Sequence, residues 1–230
     1  MTDALHTLPL RTIAERLRSG EVTASALLKY YENRIARLNP LLNAIVTINP
    51  GAAAAARAAD ERLRAGTPLG PLDGIPVAIK DNLVVEGLRS TWGTRLYESF
   101  VPDWDELPVA RLRAGGAVIV GKTNVPAFTL EGYTDNAVFG PTGNPWNVAL
   151  TPGGSSGGAV AAVAAGLVPL AIVTDGGAQF AARPPILGWW GSSLALGEWP
   201  ARMVSLRFCT ISRLLAPSPG ASTMRGSPWR

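Results

Sequence analysis

Apolar residues recur at helical spacing in two stretches near the start of the chain, Leu10 to Arg18 and Thr23 to Leu38. The second carries Leu27, Leu28, Tyr31, Ile35 and Leu38, a spacing that puts them on one helix face. Thr23 supplies an N-cap, and Asn39-Pro40 is expected to end that helix. Leu42 to Ile48 reads as a strand. Ala52 to Arg64 is alanine- and arginine-rich, a good helix by propensity. Turn residues at Gly70-Pro71-Leu72-Asp73-Gly74 precede a strand from Ile75 to Lys80. A helix is expected over Leu107 to Ala114 and a buried strand over Ala117 to Val120. A glycine-serine loop, Gly153 to Gly158, leads into a helix over Ala159 to Ala165. Val168 to Val173 is a further apolar strand, ending at Thr174-Asp175-Gly176-Gly177. Strands alternating with helices predict an α/β layered domain.

After Gly177 the pattern changes. Ala181-Ala182-Arg183-Pro184-Pro185 and Gly188-Trp189-Trp190-Gly191 set neither period, and Pro217, Pro219, Gly220, Gly226 and Pro228 punctuate the end. No stable element is expected there. Charge marks the same boundary. Of 21 Lys and Arg and 17 Asp and Glu, residues 178–230 hold six arginines and one acid, Glu198. The net charge of +4 therefore comes from the tail, and the preceding body is near neutral. Four of the seven tryptophans also lie in the tail. The tail arginines are scattered with no helical face, which argues against a nucleic-acid or membrane patch.

Composition narrows the chemistry. Hydrophobic residues at 47% and charged residues at 17% describe a globular chain with a sizeable core. No apolar run reaches the roughly 18 residues of a membrane span, and the N-terminus has no secretory pattern. The single cysteine, Cys209, excludes an internal disulfide and fits a reducing cytoplasm. The single histidine, His6, lies near the terminus, so acid–base chemistry falls to Lys, Asp, Glu or Tyr.

Three segments carry candidate chemistry. Gly74 to Asn82 delivers Lys80 on an apolar strand; desolvation there would lower the amine's pKa and make it a usable base. Thr151-Pro152-Gly153-Gly154-Ser155-Ser156-Gly157-Gly158 lets backbone N–H groups approach a ligand, and apolar structure follows it at once, unlike a linker. Thr174-Asp175-Gly176-Gly177 can form an oxyanion hole from backbone donors, or be an ordinary strand-to-helix turn. A fourth match is a decoy. Gly116 to Thr123 satisfies GxxxxGK[ST], but its variable positions are themselves a strand and Pro126 sits where the helix should propagate.

Together, and with Ala114 to Asn124, these segments resemble the amidase-signature family over residues about 8–177. The resemblance implies an α/β fold with a mixed central sheet flanked by helices, here incomplete, with its C-terminal part missing. It implies hydrolysis of a carboxylic amide by a Ser–cis-Ser–Lys triad. Lys80 would be the general base and Ser155 the bridging serine with a cis peptide, with Asp175, Gly176 and Gly177 in the oxyanion and substrate loop. The family's nucleophile position is occupied by Gln179, and an amide side chain cannot acylate. Ser156 is the alternative nucleophile. No metal or organic cofactor is implied; the partner is a small-molecule amide, with no nucleic acid and no membrane. Catalytic subunits of aminoacyl-tRNA amidotransferases share the signature and are the related alternative.

The break after Gly177 has the character of a lost base. Ala178 to Arg183 can be encoded GCT CAA TTC GCC GCC CGG; restoring one G gives GGC TCA ATT CGC CGC CCG, which reads GSIRRP. Tryptophan has a single codon, so Gly188-Trp189-Trp190-Gly191 leaves less freedom. In the shifted frame it must read Leu, Val or Met, then Val, then Gly, where the family has GLVG. Continuing through Pro200 with permitted codons yields PASHTGLVGLKPSLGRVA, whose first proline is the last residue of GSIRRP. The expected division is thus 1–177, the N-terminal part of an amidase-signature domain, and 178–230, a non-homologous, frameshifted, poorly ordered tail. An authentic divergent tail is the alternative. By the resemblance the chain is an amidase that is expected to be inactive, truncated and without its nucleophile serine; a non-catalytic fragment or pseudogene product is the alternative.

Overall fold

The structure is a computed structural model that describes residues 4–175 and the backbone of two later strands, Trp190–Ser192 and Arg207–Ser212. Its elements run α1 (Leu10–Arg18), α2 (Ala24–Leu42), β1 (Ile45–Ile48), α3 (Ala52–Arg64), β2 (Pro76–Lys80) and α4 (Leu107–Ala114). They continue with β3 (Val118–Thr123), α5 (Gly157–Ala164), β4 (Leu170–Asp175), β5 (Trp190–Ser192) and β6 (Arg207–Ser212). The sheet order is β1-β3-β2-β4-β6-β5. The central trio β3, β2 and β4 is parallel, while β1 and β6 run antiparallel to their neighbours. This is the mixed α/β arrangement the pattern predicts.

Helix α2 shows how the sequence fixes an element. Thr23 accepts a bond from the Ala26 N–H at 3.1 Å, capping the first turn. Leu27, Leu28, Tyr31 and Ile35 are buried along one face. The helix runs past Asn39-Pro40 to Leu42, beyond the expected stop. Proline lacks an N–H and strains the turn before it, yet near a C-terminus only the last turn is affected. Asn39 secures the exit from the helix: its Oδ1 accepts from the Ala44 and Ile45 N–H groups at 3.0 and 2.8 Å. Its carbonyl accepts from Asn43, which turns the chain at φ 49°. The strand consequently starts at Ile45 rather than Leu42.

Strands β2, β3 and β4 are buried at every position, which is why each reads as an apolar run rather than an alternation. The core lies between them and α2, α3 and α5. Strand β3 extends to Thr123 and β4 to Asp175, further than their apolar residues alone indicate. Polar residues at those ends are enclosed, so hydrophobicity stops marking the strand before pairing does. Residues 118–123 of the GxxxxGKT match are strand, and a short 3-10 turn at Ala127–Thr129 follows. Beyond Gly177, β5 and β6 appear where no element was expected. Strand β6 pairs with β4 from Leu170↔Ser212 to Asp175↔Arg207. Backbone pairing at an open sheet edge needs no period-two pattern, and the RFCTIS segment is rich in strand-favouring residues.

Candidate active site

Parallel strands β2 and β4 end side by side, with Val77, Ala78 and Ile79 opposite Leu170, Ala171 and Ile172. Lys80, the last residue of β2, is fully buried. Its Nζ donates to Ser155 Oγ at 2.8 Å and to the Thr174 carbonyl at 3.0 Å. Ser155 is half-buried and stands two residues before α5. The Gly154–Ser155 peptide bond is cis. Ser156 is buried, at the N-cap position of α5, and its Oγ donates to the Thr174 carbonyl at 3.4 Å.

Glycines let the serine loop settle there. A Cβ on Gly154 would stand 2.8 Å from Tyr133 N and O and from Glu131 O, all backbone atoms. A Cβ on Gly158 would stand 2.5 Å from Asn124 O and 2.9 Å from Ala44 O. Both positions therefore permit backbone-on-backbone contact that any side chain would prevent. Gly158 N also donates to Asn124 O, tying the start of α5 to the end of β3.

Two supports surround Lys80. Asn82 Nδ2 donates to Thr174 Oγ1 at 3.0 Å, holding the residue whose carbonyl receives Lys80. On the other side lies a second fully buried lysine, Lys122 of β3. Its Nζ is 3.5 Å from Asp81 Oδ1 and donates to Ser90 Oγ at 2.6 Å and to the Asp81 carbonyl at 3.2 Å. Burial pushes the Lys122 amine below the ordinary lysine range, and the Asp81 carboxylate opposes that shift. The second Asp81 oxygen accepts from Thr91 N at 2.9 Å and Thr91 Oγ1 at 2.6 Å.

The structure thus brings Lys80, Ser155, Ser156 and Asp175 to the ends of β2 and β4 and the start of α5; Asp175 is the buried last residue of β4. Gly176, Gly177 and Gln179 lie outside the described residues. The Asn82–Thr174 pair and the Lys122–Asp81–Ser90–Thr91 cluster were not singled out from the sequence. The available signal was a second lysine closing an apolar strand, Ala117 to Lys122, in the manner of Lys80.

The comparisons with known proteins agree on one family. The profile described as Amidase matches residues 26–178. A glutamyl-tRNA(Gln) amidotransferase subunit from Acidothermus cellulolyticus is 41% identical over 186 residues, 80% of this chain and 37% of that protein. The corresponding amidotransferase subunit from Methylococcus capsulatus is 45% identical over 174 residues, covering 75% and 36%. Among solved structures, a 6-aminohexanoate cyclic dimer hydrolase complexed with substrate is 29% identical with a TM-score of 0.76, over 90% of this chain and 44% of that one. A bacterial aryl acylamidase is 30% identical with a TM-score of 0.80, over 90% and 45%. The chain spans less than half the length of these relatives. With the profile matching most of its length, the chain belongs to the amidase-signature family.

Proposed function

We propose that residues 1–177 are the first part of an enzyme that hydrolyses a carboxylic amide to an acid and ammonia or an amine. We propose further that this chain, with Gln179 at the nucleophile position, does not complete the reaction. The observation that carries the reading is the 2.8 Å contact between buried Lys80 and Ser155. In the intact mechanism Lys80, acting through Ser155, takes the proton of a serine nucleophile. Backbone N–H groups at Gly176 and Gly177 stabilise the tetrahedral oxyanion, and the leaving amine recovers the proton from Lys80. A glutamine offers no hydroxyl for the first step. Residues 178–230 are a frameshifted tail, a reading supported by the GGGSIRRP and GLVGLKP segments that one restored base recovers. A cytoplasmic location is supported by the single cysteine; among the described residues no helix is long and apolar enough to cross a membrane.

The test compares the 230-residue chain with the product of the base-restored gene on simple amides. The restored protein turns over and loses activity with Lys80→Ala; the 230-residue chain shows neither turnover nor an acyl-enzyme from amides. Robust amide hydrolysis by the 230-residue chain would overturn the reading, as would an intact locus with no missing base.

A second reading has its own support. The 41% and 45% identical relatives are named as amidotransferase subunits, so the intact protein can belong to an amidotransferase complex. Glutamine hydrolysis by the restored protein only in the presence of partner subunits would favour it.

A further inference from the structure

We propose that Ser155 is itself a nucleophile in this chain, activated by Lys80 and selective for acyl groups on good leaving groups, such as aryl esters. The inference rests on the reading of Lys80 as a base, but it assigns Ser155 a different role: it becomes the acylated atom rather than a relay.

Three observations carry it. First, a Ser–Lys pair at 2.8 Å is a complete nucleophile–base unit, because an uncharged amine at that separation accepts the serine proton. Second, exposure divides the labour. Lys80 is fully buried and cannot meet an acyl carbon, whereas Ser155 is half-buried and reaches the surface. Third, geometry separates Ser155 from its neighbour. Ser156 is buried and its hydroxyl is aimed at the Thr174 carbonyl, whereas Ser155 holds the 2.8 Å contact with the base.

The step balances. Ser155 Oγ forms a bond to the acyl carbon as its proton passes to neutral Lys80 Nζ. The bond from that carbon to the aryloxy oxygen breaks and the aryloxide departs with the electron pair. The proton leaves Lys80 to the aryloxide or to solvent, and the serine ester remains. The substrate class follows from what surrounds the serine. Among the described residues, the first-turn N–H groups of α5 at Gly157 and Gly158 are already given to Thr134 Oγ1 and Asn124 O, so these two do not serve an oxyanion developing at Ser155. Each missing oxyanion donor lowers a rate by about 10²–10³-fold. An aryl ester, whose leaving group needs no protonation, tolerates that loss; an amide does not. The same deficit leaves deacylation slow, so the acyl group accumulates on the protein.

The 230-residue chain treated with p-nitrophenyl acetate is expected to release a burst of one equivalent of p-nitrophenolate and to carry one acetyl group on Ser155 by peptide mapping. General-base assistance by Lys80 accounts for about 10²–10⁴-fold of the burst rate. Ser155→Ala abolishes the burst, while Ser155→Cys keeps it; both are small changes at a half-buried position. A wild-type chain without a burst overturns the proposal, as does a burst that survives Ser155→Ala or an adduct found only on Ser156, Lys80 or exposed amines. Amide turnover in the base-restored protein reports on position 179, and this ester burst reports on Ser155, so either reading can fail alone.

Discussion

Lys122→Met removes one charge from an enclosed set of buried groups, and its effect can be worked from the contacts. Both side chains of the Lys122–Asp81 pair are 0% exposed. Asp81 Oδ1 makes no hydrogen bond, so the Lys122 ammonium at 3.5 Å is what balances it. Methionine conserves volume and adds no polar atom, so what is lost is the charge together with its bonds to Ser90 Oγ and the Asp81 carbonyl. Breaking a buried pair from one side costs about 3–5 kcal/mol, because the remaining charge stays buried and unpaired. In urea, with a slope of about 2–3 kcal/mol/M for a domain of this size, the midpoint should fall by about 1–2 M at constant slope. Asp81→Asn in the same chain should return part of the loss, as a coupling of about 0.5–3 kcal/mol. The pH profile supplies a second signature. The folded amine binds its proton less tightly than the unfolded one, so between the two values unfolding takes up a proton and wild-type stability rises with pH. That contribution is lost as pH falls through the folded value, and Lys122→Met should not show it. A midpoint shift below about 0.4 M, additive with Asp81→Asn, would refute the reasoning.

Two further outcomes follow from the same contacts. Gly158→Ala places a Cβ against the Asn124 and Ala44 backbones, so the local overpacking of about 1–3 kcal/mol should outweigh the roughly 1 kcal/mol helix-propensity gain; a stabilised variant in thermal melts would contradict this. Glu106, half-buried and accepting from Val84 N at 2.7 Å, has its carboxyl pushed up by burial. Its contribution is full below the ordinary glutamate range and lost as pH rises through the folded value, so Glu106→Gln should flatten stability across that window in pH-dependent urea titrations.

The helices and the three parallel strands were legible because their apolar residues are buried in the same period in which they occur. Lys80 and Ser155 were legible as members of a spaced motif, although neither would be distinguished by its own environment in the sequence. Lys122 was not, because a lysine after an apolar run reads as a solvated strand end until the Asp81 carboxylate, just past the end of the neighbouring strand, is seen beside it. Asn39 misled in the opposite direction. Beside Pro40 it signals a stop, but the helix runs on to Leu42, and the Asn39 side chain fixes the chain just past that end by accepting from the Ala44 and Ile45 N–H groups. Strand β6 escaped because pairing with β4 is a backbone property, invisible to a search for alternating faces.

The parallel pairing of β2 and β4 also works as a gauge of length. Three matched pairs, Val77 to Ile79 against Leu170 to Ile172, decide how far the Thr174 carbonyl reaches toward Lys80. A slip of one residue displaces a strand by about 3.3 Å and turns every side chain to the other face. Insertions or deletions inside either strand would therefore dismantle the site even if every residue type were kept. The exposed loop carrying Trp146, Val148 and Leu150 has no such restriction, and length variation can accumulate there without moving the lysine from its serine.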